Sequence, residues 1–401
     1  MYATPKQVAA WAVMDSPAQA VLMHGGARSG KSFIITAKII DRAQKYAGSR
    51  HLIARYRLAH AKSSIWHETL IPLVRGQAGW VIHQGDLCVT YRNGSEIWLG
   101  GFDDESRVEK ILGHEYATIY PNEVSQISYE AFVMARSRLA QNIPGCVNKA
   151  YLDCNPPSPQ HWSHRLFFEH IEPRSGIPLD RPELYTQIQM NPTDNVKNLP
   201  ANYIADILGQ LPDRERRRFR DGEWVKPEGT IFDKFTETMI VEEDDIPPRS
   251  KFEEFTVGVD FGLNFAAVLI GWMGDTIWFL DDWGAFSMTA SAANQQMINR
   301  WEPEWGAWGV AYCDPSGGER IQEISAGDDA DNAVEDGLNW LNQKMERGEF
   351  KVARRCAGWL GEAYDYHRDE KGRVVKQNDH YVDAARYGSY SRAGKGVLLY
   401  V

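Results

Sequence analysis

The sequence predicts an α/β chain of two domains, the first on a mostly parallel sheet and the second on a mixed one. Three observations carry that expectation. Short apolar strands alternate with helical stretches through the first half. A Gly-rich turn, Gly25-Gly26-Ala27-Arg28-Ser29-Gly30-Lys31-Ser32, joins one such strand to one such helix. After a polar, Pro-rich interval, three strand-like segments follow one another from Phe255 with tight turns between them.

Taken in order, Ala20 to Met23 is a short buried strand, and Ser32 to Tyr46 has apolar residues at helical spacing. His51 to Arg55 is a second strand. Leu87 to Leu99 forms a hairpin whose tight turn is Asn93-Gly94. Ala117 to Tyr120 and Ala150 to Leu152 are further short strands, each followed by a loop and a helical stretch. From Lys226 to Arg249 the composition shifts: Pro227, Gly229, Glu242-Glu243-Asp244-Asp245 and Pro247-Pro248 suggest a linker. The expected boundaries are 1–225, a linker over 226–252, and 253–401. Beyond them, Phe255 to Gly262, Ala266 to Trp272 and Thr276 to Leu280 are expected strands, with Met273-Gly274-Asp275 as a turn. Trp308 to Asp314 is a later strand, and Asn378 to Tyr387 a C-terminal helical stretch.

The bulk numbers narrow the class. Hydrophobic residues make up 43% and charged residues 24% of the 401, which describes an ordinary globular chain. A net charge of −10 argues against a basic coat on nucleic acid but permits a local basic groove. The five cysteines are scattered, without zinc-type spacing, as expected of a reduced cytosolic protein. No apolar run is long enough for a membrane helix, and the N-terminus carries no secretion pattern, so no membrane association is expected.

The Gly-rich turn fits the phosphate-binding pattern G-x-x-x-x-G-K-[ST] in the strand–turn–helix context it requires. Its backbone N–H groups, from Gly25 through Ser32, would face phosphates, helped by the helix N-terminus. Lys31 would reach the β- and γ-phosphates of ATP, and Ser32 would ligate Mg²⁺. Hydrolysis needs a carboxylate to orient water, and Glu123, at the end of the Ala117 strand, is the expected general base. The acid that usually precedes such a residue is here Asn122, a weaker partner for magnesium. Asn155, at the end of the next strand and ahead of a stiff Pro156-Pro157 loop, is an expected γ-phosphate sensor. Charge developing on the γ-phosphate calls for an arginine, with Arg28, Arg136 and Arg138 as candidates.

The second half suggests a two-metal nuclease. Two divalent ions, Mg²⁺ or Mn²⁺, need several converging carboxylates. Asp260 and Asp314 each end an apolar strand, a poor place for a charge unless a cation binds there. Asp383 lies on the last helical stretch, with Asp379 four residues earlier on the same face as an accessory ligand or helix cap. His380 is adjacent. Asp281-Asp282 is an alternative acidic site, with a turn as the preferred reading. This order of strands, helices and acids resembles the ribonuclease-H-like fold.

Taken together, the Gly-rich loop, the strand ending in Asn122-Glu123, the Asn155-Pro156-Pro157 loop with His161-Trp162 and the later acids resemble the large terminase subunits of tailed bacteriophages. The resemblance runs from Thr4-Pro5-Lys6-Gln7 to Arg386-Tyr387. It implies an N-terminal P-loop ATPase that packs double-stranded DNA into a procapsid and a ribonuclease-H-like nuclease that cuts the concatemer. It implies Gln7 as the adenine-reading residue, favours Arg28 among the arginines, and picks Asp383 through its Asp-Ala-x-Arg-Tyr ending. The implied partners are DNA, a portal protein and a small terminase subunit, in the host cytoplasm. A homo-oligomeric ring is implied when packaging, with a monomer in isolation as the alternative state. Two rival readings remain: a repair- or helicase-type ATPase fused to a nuclease, and a packaging motor whose second domain is a degenerate docking module.

Overall fold

A computed structural model describes residues 3–174, 176–225, 229–369, 372–376 and 379–394. The chain divides into two compact units, one of residues 1–170 and 179–226, the other of residues 171–178 and 227–401.

The first unit is built on eight strands: β1 (Ala20–His24), β2 (Arg50–Arg55), β3 (Trp80–His83), β4 (Cys88–Tyr91), β5 (Glu96–Gly101), β6 (Thr118–Pro121), β7 (Lys149–Cys154) and β8 (Tyr185–Gln189). Their spatial order is β3-β4-β5-β2-β6-β7-β1-β8. All neighbours are parallel except the β3–β4–β5 meander at one edge. β1, β6 and β7 are buried along their whole length, as continuous apolar runs in a covered parallel sheet should be. The helix Lys31–Lys45 turns Ile34, Ile35, Ile39, Ile40 and Ala43 into this core. The expected hairpin is present: Gly94 takes φ +83° and its N–H closes the turn on Tyr91 O at 2.9 Å. β3 and β8 were not expected, because Trp80–His83 is a half-exposed edge and Tyr185-Thr186-Gln187-Ile188-Gln189 is too polar for the apolar-run criterion.

The second unit carries β9 (Ile240–Val241), β10 (Glu254–Asp260), β11 (Asn264–Met273), β12 (Thr276–Phe286), β13 (Val310–Cys313), β14 (Gly327–Asp329) and β15 (Phe350–Ala353). They lie in the order β14-β13-β10-β11-β12-β15-β9. The three expected antiparallel strands are β10, β11 and β12, and β13, β14, β15 and β9 add parallel pairings. Among the described residues no helix is long and apolar enough to cross a membrane.

Two expectations are corrected here. The described part of the 226–252 interval belongs to the second unit: Ile231 and Phe232 are buried in its core, and Ile240–Val241 pairs with β15. Charge and proline dominate that stretch, but apolar residues spaced along it anchor it to the sheet; residues 226–228 lie outside the described set. Asp281 and Asp282 do not form a turn. β12 runs through them, Asp281 accepts from Arg300 Nε (2.7 Å) and Trp301 Nε1 (2.9 Å), and Asp282 accepts from Trp359 N (2.7 Å). They are buried structural acids.

The last helix, His380–Gly394, crosses the sheet very closely; Asn378, the expected start of this stretch, lies outside the described residues. A Cβ on Gly258 would stand 1.7 Å from Ala384 O, and one on Gly388 would stand 2.8 Å from Gly258 Cα. Thr256 Oγ1 donates to Gly388 O at 3.0 Å across the same crossing. Only glycine permits this approach. Gly258→Ala is therefore expected to push the helix off β10 and lower the melting temperature of the second unit, which calorimetry checks.

Three histidines of the first unit are buried and held neutral. Burial pushes His24 down to about 4, and His51 and His161 down to about 3. An unfolded chain binds these protons near its ordinary histidine pKa of about 6.5, which the folded unit refuses. Stability of this unit is therefore expected to fall as pH drops from about 6.5 towards 4, read by thermal melts across that window.

Candidate functional site

The Gly-rich loop is tied from behind. Gly25 takes φ +131°, and a Cβ there would meet Met190 O at 2.2 Å. Asn191 Oδ1 accepts from Gly26 N (2.9 Å), while Asn191 Nδ2 donates to Asp221 O (2.8 Å). Ala27 N donates to Phe219 O at 2.8 Å. The 211–224 stretch, whose arginines in sequence suggest either a DNA contact or a solvated face, thus closes on the back of the loop. Lys31 Nζ lies among Gly25 O (3.0 Å), Gly26 O (2.7 Å), Ser29 Oγ (3.1 Å) and Asn155 Oδ1 (3.3 Å). Burial lowers its pKa, and Asp153 and Glu123 oppose that. Lys31, Ser32, Glu123 and Asn155 are thereby gathered around one end of the sheet.

Glu123 follows β6 in the left-handed region, φ 56° and ψ 60°. Such a conformation in a non-glycine residue costs about 1–3 kcal/mol and persists where the surroundings impose it. Here its own N–H is drawn onto Asp153 Oδ1 at 2.8 Å. Burial first, then the Asp153 charge, raise the Glu123 pKa; Lys31, Arg55 and Arg218 pull it down. A raised carboxylate is a better proton acceptor for water.

The arginine candidates separate. Arg28 is exposed at φ 57°, its carbonyl held by Asn195 Nδ2 at 2.8 Å. Arg136 bonds to the Tyr185 hydroxyl and lies over that ring, 5.1 Å from its centroid. Arg138 donates to Leu112 O at 3.3 Å. The guanidinium charges that act on Glu123 are instead those of Arg55 and Arg218, and Arg218 also donates to Asn155 O at 3.3 Å. Gln7 is buried in a capping box: its Oε1 accepts from Thr4 N at 3.0 Å. Its Nε2 sits against the loop, 2.6 Å from where a Cβ on Gly30 would be.

In the second unit, parallel pairing of Val259 with Cys313 brings the next residues, Asp260 and Asp314, side by side at the strand ends. Asp314 N donates to Val259 O at 2.9 Å, and the Asp314 carboxylate accepts from Ser316 N at 2.9 Å. His380 Nδ1 bonds Asp260 Oδ2 at 2.9 Å, and His380 Nε2 meets Asn264 Nδ2 at 3.1 Å. Burial pushes Asp260 up to about 6; His380 works against this, and the Asp383 and Asp314 charges add to it. Asp383 is close enough for that, but its carboxylate is engaged by Lys376 Nζ (2.6 Å) and Arg386 Nη2 (3.1 Å). Lys376 also reaches Asp379 at 3.1 Å. Among the described residues no three acidic, histidine or cysteine side chains close on one ion position. Asp260 and Asp314 are adjacent, whereas Asp383 and Asp379 share an ammonium.

Sequence reasoning missed Asp153, Asn191 and Arg55, and read Arg218 only as a DNA contact or part of a solvated face. Asp153 was within reach: along a strand it shares a face with Asn155, two residues on. Asn191 and the arginines meet the loop only through the fold.

Comparison with known proteins settles the family. The family model for the T4-like phage terminase large subunit, N-terminal part, matches residues 22–239. The chain belongs to the terminase large-subunit family. The large terminase subunit of Salmonella phage P22 is 30% identical over 427 aligned residues, covering 92% of this chain and 82% of that protein. That of Enterobacteria phage LP7 is 30% identical over 207 residues, covering 46% of this chain and 42% of that one. In three dimensions the large terminase of a thermophilic bacteriophage superposes with a TM-score of 0.50 at 19% identity, covering 96% of this chain and 98% of that one. The fold is therefore that of a large terminase, a mostly parallel sheet followed by a mixed one.

Asn191→Ala is expected to leave the terminase chain folded but to weaken nucleotide binding about ten-fold, or about 1.4 kcal/mol, by freeing the back of the loop. A fluorescent-nucleotide titration reads this.

Proposed function

We propose that this terminase couples ATP hydrolysis to translocation of double-stranded DNA and cuts that DNA with its second unit. The observation that carries this reading is the gathering of Lys31, Ser32 and Glu123 at one sheet end, in a chain whose other sheet sets Asp260 beside Asp314.

The loop N–H groups and Lys31 bind the triphosphate, and Gln7 Nε2, beside Gly30, reads the base. Glu123 orients the attacking water and takes its proton. Asn155, bonded to both Lys31 and Arg218, passes loss of the γ-phosphate to the following helix. Bound Mg²⁺ supplies charge neutralisation on the phosphates. Arg28, on the exposed face of the loop, meets the γ-phosphate or a neighbouring subunit in a ring, while Arg55 and Arg218 act on Glu123.

In the nuclease unit the donor set is all oxygen, suited to hard divalent cations. Asp260 and Asp314 would hold the first of two ions, Mg²⁺ or Mn²⁺, and Asp383, now paired with Lys376, would be the third ligand. Such ions supply an activated water and stabilise the leaving oxygen. His380 orients the Asp260 carboxylate. A portal protein, a small terminase subunit and a ring of copies complete the packaging assembly, acting in the host cytoplasm.

Lys31→Ala and Glu123→Gln should lower ATP turnover by about 10²–10⁴ while cleavage persists. Asp260→Asn and Asp314→Asn should abolish Mn²⁺-supported plasmid cleavage while ATP turnover persists. Joint loss of both activities in a folded variant would contradict this division of labour. Unwinding of a duplex would favour a helicase, and wild-type protein unable to cut plasmid would favour a degenerate second unit.

A further inference from the structure

β6 is followed directly by an amide, Asn122, at the place where a phosphate-loop ATPase needs a carboxylate for its metal. A carboxylate is present one strand away. β6 and β7 run parallel with Ile119 opposite Ala150, so three residues further on Asn122 stands beside Asp153. Asp153 is fully buried. Its Oδ2 accepts from Ser32 Oγ (2.7 Å) and Tyr120 Oη (2.8 Å), and its Oδ1 accepts from Asn122 Nδ2 (2.7 Å) and Glu123 N (2.8 Å).

Each of these four donors is neutral. Two of them belong to residues the reaction uses: Ser32, the metal-binding hydroxyl of the loop, and Glu123, the base. The other two, Tyr120 and Asn122, fix the carboxylate's orientation from below. A buried acid that accepts from four neutral donors, one of them the Ser32 hydroxyl of the loop, is arranged as half of a cation site. The donors fit the ion: Ser32 Oγ and Asp153 Oδ2 lie 2.7 Å apart, both hard oxygens, facing the phosphate loop.

We propose that Asp153, rather than a residue of β6, is the metal-side carboxylate of the nucleotide site, holding the nucleotide-bound Mg²⁺ or its water together with Ser32. The acid has exchanged strands: β6 carries the amide and β7 the carboxylate, and the Asn122–Asp153 hydrogen bond joins the exchanged pair. This rests on the reading of the first unit as an ATPase and names its metal ligand.

A merely structural hub would matter with or without metal; a metal-side carboxylate matters to nucleotide affinity only when Mg²⁺ is present. The test is titration of the full chain with a fluorescent ADP, with and without Mg²⁺, for wild type, Asp153→Asn and the exchange variant Asn122→Asp/Asp153→Asn. Asp153→Asn is expected to keep metal-free affinity within about two-fold and to lose about ten-fold or more of the Mg²⁺-dependent gain. The exchange variant is expected to regain it. An Asp153→Asn protein that keeps the full Mg²⁺-dependent gain overturns the proposal. If Asp153→Asn fails to fold, the exchange variant decides: recovery of the gain supports the proposal, and a folded variant without it, or failure to fold, counts against. Wild-type protein that binds no nucleotide would defeat the ATPase reading itself, a result distinct from any of these.

Discussion

Burying a carboxylate at the end of a strand is costly unless something answers its charge, and both units are organised around that constraint. In the first, Asp153 lies at the end of β7, accepts from four neutral donors and acts on the Lys31 ammonium. In the second, Asp260 is answered by His380, and Asp383 by Lys376 and Arg386. Taking the partner from a buried charge costs about 3–5 kcal/mol, so these networks fix the geometry around them. The left-handed turn at Glu123 goes with it: Asp153 accepts from the Glu123 N–H.

Close backbone approach does the rest. Gly25 and Gly222 let the phosphate loop lie against the 211–224 stretch, and Asn191 ties the two together. Gly258 and Gly388 let the last helix lie on β10, which brings Asp383 within electrostatic range of Asp260. In each unit glycines at a close backbone approach set where the charged groups stand. That is a packing constraint serving a functional geometry, since a single methyl at Gly258 would collide with Ala384 O at 1.7 Å.

Much of this was legible in the sequence. The Gly-rich loop, the strands ending in Glu123, Asn155, Asp260 and Asp314, and the antiparallel order of β10 to β12 all follow from local pattern and turn chemistry. What was not legible depends on which strands become neighbours. Asn122 looked like a deficient metal partner because its neighbour across the sheet is 31 positions later in the chain, Asp153. The interval after residue 226 looked like a linker because its charge and prolines outweigh Ile231 and Phe232, whose burial only the second sheet provides. Asp281 looked like a turn because Arg300 and Trp301, which satisfy it, come from a later helix. Lys376 between Asp379 and Asp383 is likewise a contact that spacing alone does not single out.

The most direct measurement is an anomalous difference map from crystals of the chain grown with ADP and Mn²⁺. Peaks are expected beside Ser32 and Asp153 in the first unit and between Asp260 and Asp314 in the second. A well-ordered map with ADP in the loop but no manganese at either pair of oxygens would contradict the claim that these buried carboxylates are kept for cations.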